Sequence, residues 1–165
     1  MQQKDEVDAL AAVWAQHLPP QTVTALEVTK RVSRIGMIFS QALGAELAEL
    51  GLTYAEFDVL AALYRIGPMK PSELSKSLFL TSGGISNVLQ RMTTAGYVER
   101  SDNPGDARSR LVRLTEEGGT MAKAALDASA RSCEEVTAGV PEEALRQAAD
   151  ALRDILLVIG KRRLR

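Results

Sequence analysis

Asn87, Gln90 and Arg91 sit close together in the chain and carry groups that pair with nucleic-acid edges. A carboxamide can meet adenine through two parallel hydrogen bonds, and a guanidinium meets guanine or a phosphate in the same forked way. At about 100° per residue, these three share one side of a helix over 82–95 with Gly83 and Thr94, with Ser86 on the flank. Ile85, Val88, Leu89 and Met92 fall on the other side. Thr81 precedes this helix as a cap, and its first turn, Ser82-Gly83-Gly84, has almost no side-chain bulk. Each glycine costs about 1 kcal/mol against alanine in a helix interior, and somewhat less in a first turn. Close approach of the backbone to a phosphate or groove wall would compensate. An ordinary solvated helix face has the same composition, and these residues alone leave that reading open.

A second cationic group follows a Pro-Gly turn. Arg108 and Arg110 lie at or near the tip of an expected hairpin, where a guanidinium gains from the negative potential of a narrow minor groove. Asp106 would repel phosphate if free, and is better placed as an internal partner that orients an arginine. For Arg110 and Arg113, solubilising charge on a turn would look the same. The charge distribution agrees with a DNA-facing centre. Residues 66–115 hold seven bases and four acids, while residues 1–65 hold five and eight, within a net charge of −1.

Catalytic and metal chemistry find little support. The chain has one histidine, His17, just before a proline pair, and one cysteine, Cys133. Neither has a serine, cysteine or zinc-ligand pattern around it, and no phosphate loop of recognised spacing occurs. No catalytic residue, metal site or cofactor is therefore expected. The lone Cys133 cannot form a disulfide within the chain, which fits a reducing compartment, and it reads as an inert thiol. The acidic start, MQQKDEVD, is no secretory signal, and the apolar run at 155–159 is too short for a bilayer. The expectation is a cytoplasmic, non-enzymatic protein with no membrane partner.

The elements that position these residues can be read from caps and periodicity. Helices are expected at about 5–17 and 22–50, the latter with Val28, Val32, Ile35, Ile38, Phe39, Ala42 and Leu43 as an apolar stripe. Thr53 and Glu56 form a capping box for a third helix, and Pro71 suits the first position of a short fourth. After the 82–95 helix the period changes to that of strands at 97–100 and 110–114, joined by a turn at 102–106. Thr115 then opens a helix to about 138, and a last helix runs from Pro141 to near Gly160. The fold class is mainly α with a small β part (α+β): a winged helix-turn-helix lobe over 51–115, between helical regions over 1–50 and 116–165.

Several of these stretches resemble one family. Pro71-Ser72-Glu73-Leu74, Thr81 to Asn87, Gly96-Tyr97-Val98-Glu99-Arg100, Asn103 to Arg108 and Leu111 to Gly118 are similar, in order and spacing, to MarR-type bacterial and archaeal regulators. The resemblance implies a homodimer built on the terminal helices, with two winged lobes reaching successive major grooves of a pseudo-palindromic duplex. It implies that the helix starting at Ser82 reads the major groove and that Arg108 enters the minor groove. It further implies a repressor released by a small effector; a dimeric protein-interaction module without DNA affinity is the alternative. Trp14, Asp58 and Arg65 match, by position, residues that bind an anionic purine in the urate-responsive branch. That branch has an arginine where this chain has Val88. Packing within the dimer region accounts for Trp14 equally well, and any effector is expected to be small and anionic or aromatic.

Overall fold

The computed structural model describes residues 4–102 and 110–160. Among these, the order is α1 (Glu6–Trp14), α2 (Pro20–Glu49), α3 (Tyr54–Ile66), α4 (Pro71–Ser77), α5 (Ser82–Thr94), β1 (Val98–Asp102), β2 (Arg110–Leu114), α6 (Glu116–Val136) and α7 (Glu142–Ile159). The winged-helix class read from the sequence is the one observed. The expected turn at 102–106 differs in one respect: Asp102 belongs to β1, paired with Arg110. Asp106 and Arg108 lie outside the described residues.

Side-chain caps mark most helix starts. Asp5 accepts from the amides of Val7 and Asp8, while the Asp8 carboxylate accepts from the Asp5 amide. Pro20 takes the first position of α2, where its missing N–H costs nothing. Thr53 and Glu56 close the expected capping box of α3, and Thr81 accepts from the Gly84 amide at 3.0 Å. Arg31 of α2 reaches back to Asp5 at 2.8 Å and Asp8 at 3.1 Å, fastening α1 onto α2. That guanidinium holds the Asp5 carboxyl below its ordinary range.

The core gathers where α2, α3, α5 and α6 meet the ribbon. Leu43 and Leu47 of α2, Val59 and Leu60 of α3, Leu74 of α4, Met92 of α5 and Val112 of β2 are all fully buried. Ala122, Ala125 and Ala128 give α6 a flat face with no exposed area, so its backbone lies close to α2 and α3. Met69 adds a one-residue bridge to the ribbon, exchanging both backbone hydrogen bonds with Val112 at 3.0 and 2.8 Å. At the base of the ribbon the first turn of α6 presses on Tyr97. A Cβ built at Gly118 would overlap the Tyr97 carbonyl, so that close approach requires glycine.

Elsewhere the apolar surface is open. Val32, Ile35 and Ile38 of the expected α2 stripe are exposed, as is Met37 beside them, whereas Phe39 and Leu43 at the far end of the stripe join the protomer's own core. α7 buries none of its residues, although Leu145, Leu152, Ile155, Leu156 and Ile159 line one face. Among the described residues, no single helix is long and apolar enough to cross a membrane.

Candidate nucleic-acid interface

α4 and α5 are joined by a turn that the chain builds without glycine. The Leu80 amide donates to the Ser75 carbonyl at 3.0 Å, and the Ser75 hydroxyl donates to the Leu80 carbonyl at 2.7 Å. The amide's hydrogen bond is the outer one of a Schellman ending, and between its partners Phe79 stands at a left-handed φ of 54° and is 97% exposed. Leu80 is thereby turned toward the core and Thr81 into its capping position. The tight turn sets the angle at which α5 leaves α4.

Ile85, Leu89 and Met92 pack inward, and the opposite face of α5 is open. Thr81, Ser82, Gly83, Ser86, Asn87, Gln90 and Arg91 are all exposed, so the structure brings together the expected set on this helix. The two glycines differ. A Cβ at Gly84 would stand 3.2 Å from the Thr81 hydroxyl, whereas one at Gly83 would meet open space. Nothing among the described residues calls for glycine at 83.

Arg91 is not free. Its guanidinium lies 3.1 Å from a Glu56 oxygen, and the Glu56 side chain is only 8% exposed. The other Glu56 oxygen accepts from the Thr53 amide and hydroxyl, each at 2.7 Å. A buried carboxylate needs its lone pairs filled, and Arg91 supplies the charged partner. The capping box of α3 is thus joined to the outer helix, a link that sequence reading missed because it joins residues in different elements.

The ribbon arginines are also divided. Arg113 faces Glu99 at 2.7 Å, directly across the strands. Arg110 faces Asp102 at 3.3 Å. Both pairs are well exposed and hold their arginines weakly. Arg100, on the ribbon face shared with the buried Val98, has no carboxylate partner among the described residues.

A separate pocket lies on the other side of α3. Its volume is about 550 Å³, in the range of small-molecule sites, and Asp58, Ala61, Tyr64, Arg65, Leu78 and Leu126 contribute walls. Two of the three expected effector residues, Asp58 and Arg65, therefore share one cavity. Trp14 is on α1 and is not part of its lining. Burial pushes the Asp58 carboxyl above the ordinary aspartate range.

Comparison with known proteins places this geometry in context. The sequence model described as MarR family matches residues 50–109. The regulator PecS of Dickeya dadantii is 30% identical over 116 residues, covering 68% of this chain and 70% of PecS. The multiple antibiotic resistance protein MarR of Escherichia coli K12 is 37% identical over 75 residues, a match spanning about half of that relative (52%). Among solved structures, apo wild-type MarR from E. coli superposes with a TM-score of 0.70 at 26% identity, covering 78% of this chain and 96% of that one. A cysteine-to-serine mutant of E. coli MarR, complexed with operator DNA, gives 0.71 at 25% identity, covering 81% and 96%.

Proposed function

This chain belongs to the MarR family of transcription regulators, and from that premise we propose that it is a homodimeric repressor that binds a pseudo-palindromic duplex and releases it when a small effector binds. The observation that carries the reading is the open face of α5, where Gly83, Asn87 and Gln90 stand exposed beside a ribbon. Gly83 lacks an internal reason, and close passage of a groove wall or phosphate provides an external one. In this reading Thr81 and Ser82 contact backbone phosphates, Asn87 reads a base edge, Ser86 and Gln90 lie against the duplex, Arg91 lines the groove from its anchor on Glu56, and Arg108 and Arg110 belong to the wing. Asp106 steadies an arginine there.

Residues 1–50 and 116–165 form the dimerisation region, and 51–115 the DNA-binding lobe. The uncovered apolar faces of α2 and α7 support this division, because a second copy would bury them. The Asp58–Arg65 pocket suits an anionic or aromatic effector: Arg65 offers the cation, and Ala61, Leu78 and Leu126 the apolar walls. The PecS likeness favours that branch of the family. Trp14 enters the response through the dimer region.

The decisive experiment is a titration of parent and Gly83→Ala chains against duplexes selected from genomic fragments. The parent should bind as a dimer to half-sites about one helical turn apart. Gly83→Ala should gain up to about 1 kcal/mol of fold stability and lose operator affinity. A parent that stays monomeric with and without DNA, or a variant that binds as well as the parent, would sink the reading.

A further inference from the structure

We propose that Arg100 and Gln90 seat one phosphate of the duplex, on the strand that runs between the groove read by α5 and the groove entered by the wing. The inference rests on the DNA-binding reading above and adds a contact to it. In B-form DNA a single sugar-phosphate strand separates a major groove from the adjacent minor groove. If α5 lies in one and the ribbon tip in the other, that strand must cross the gap between α5 and β1. The gap is a real cleft. Its volume is about 350 Å³, and it is lined by Ser86, Leu89, Gln90, Thr93 and Thr94 of α5 and by Arg100 of β1.

Its donors are few and well placed. Ser86, Thr93 and Thr94 each give their hydroxyl proton to a backbone carbonyl one turn earlier, at 2.8, 2.8 and 3.1 Å. These hydroxyls are left as acceptors. The Gln90 carboxamide and the Arg100 guanidinium make no hydrogen bond with the described residues, so the uncommitted donors are theirs. The charges point the same way. Arg91 pairs with Glu56, Arg113 with Glu99 and Arg110 with Asp102, whereas Arg100, which lines the cleft, forms no ion pair among the described residues. A guanidinium left unpaired in a polar cleft is matched by a phosphate, which accepts its forked donors.

The test is the salt dependence of duplex binding for the parent, R100Q, R100M and R113Q. Each lost phosphate contact should flatten the slope of log affinity against log salt by about 0.9, or about 1.8 for a dimer. R100Q should show that change, with a loss of about tenfold per lobe that is equal on operator and unrelated duplex, since phosphate contacts carry no sequence information. R100M keeps the apolar stem and should behave alike, which guards against a folding defect in one variant. R113Q should keep the parent's slope. An unchanged slope in R100Q and R100M overturns the assignment, as does a loss confined to operator DNA or an equal flattening in R113Q. A parent that binds no duplex at any salt overturns the regulator reading itself, an outcome distinct from the others.

Discussion

The winged lobe and the terminal helices use similar apolar residues to opposite ends. In the lobe, Val59, Leu60, Leu74, Met92 and Val112 are sealed by residues of the same chain. In α2 and α7, Ile35 is 61% exposed and Leu156 62%, although both helices are long and regular. A lone amphipathic helix has little stability in water unless its apolar face is covered. The described apolar core of the lobe is covered within one chain, and the terminal helices leave much of their apolar surface open. The two regions are joined through α6, whose alanine face packs on α2 and α3 while its first turn grips Tyr97.

The contrast is broken most severely by charging the open face. Leu152→Asp with Leu156→Asp removes two leucines from each copy of α7. At about 1.5–3 kcal/mol per buried leucine, counted in both copies, the dimer should weaken by ~6 kcal/mol or more. Sedimentation should show a monomer with an intact helical signal. Equal dimerisation by parent and variant would mean that α7 is covered by something else.

A smaller effect is expected where the lobe is tight. Gly118→Ala drives a methyl group into the Tyr97 carbonyl and should cost about 1–3 kcal/mol in thermal or denaturant unfolding. Gly119→Ala, one residue on, meets open space and should gain a few tenths to ~1 kcal/mol from helix propensity. If both substitutions had the same effect, the close approach at 118 would be unimportant to the lobe.

The smallest effect concerns Asp58. Its folded-state pKa is raised by burial, so its stabilising contribution is full below the ordinary aspartate range and is lost as pH rises through the raised value. Asp58→Asn should therefore be more stable than the parent at neutral pH, with the difference closing on acidification. An anionic effector beside Asp58 would raise that pKa further, so its binding should take up a proton and strengthen as pH falls. A stability difference that does not vary with pH would remove Asp58 from this role.

Much of the lobe was legible from local chemistry. Thr53 with Glu56, Pro71, Thr81 and Thr115 stand at helix starts, as expected, because a cap acts within three or four residues of itself. The outer face of α5 was legible because helical periodicity is just as local. Phe79 was not: nothing in its type announces a left-handed residue where glycine is usual, and the Ser75–Leu80 lock imposes it.

By itself the sequence determined which stretches are helices, to within about a turn where they begin and end, and which faces are apolar, since those properties depend on neighbours one turn away. Only the tertiary structure decided which charges cancel. Glu56 meets Arg91, and Glu99 meets Arg113, because packing and strand register bring distant residues together. Arg100 is left facing its cleft for the same reason. Whether an apolar face finds its cover within the chain is a property of the closed core, which periodicity along one helix does not contain.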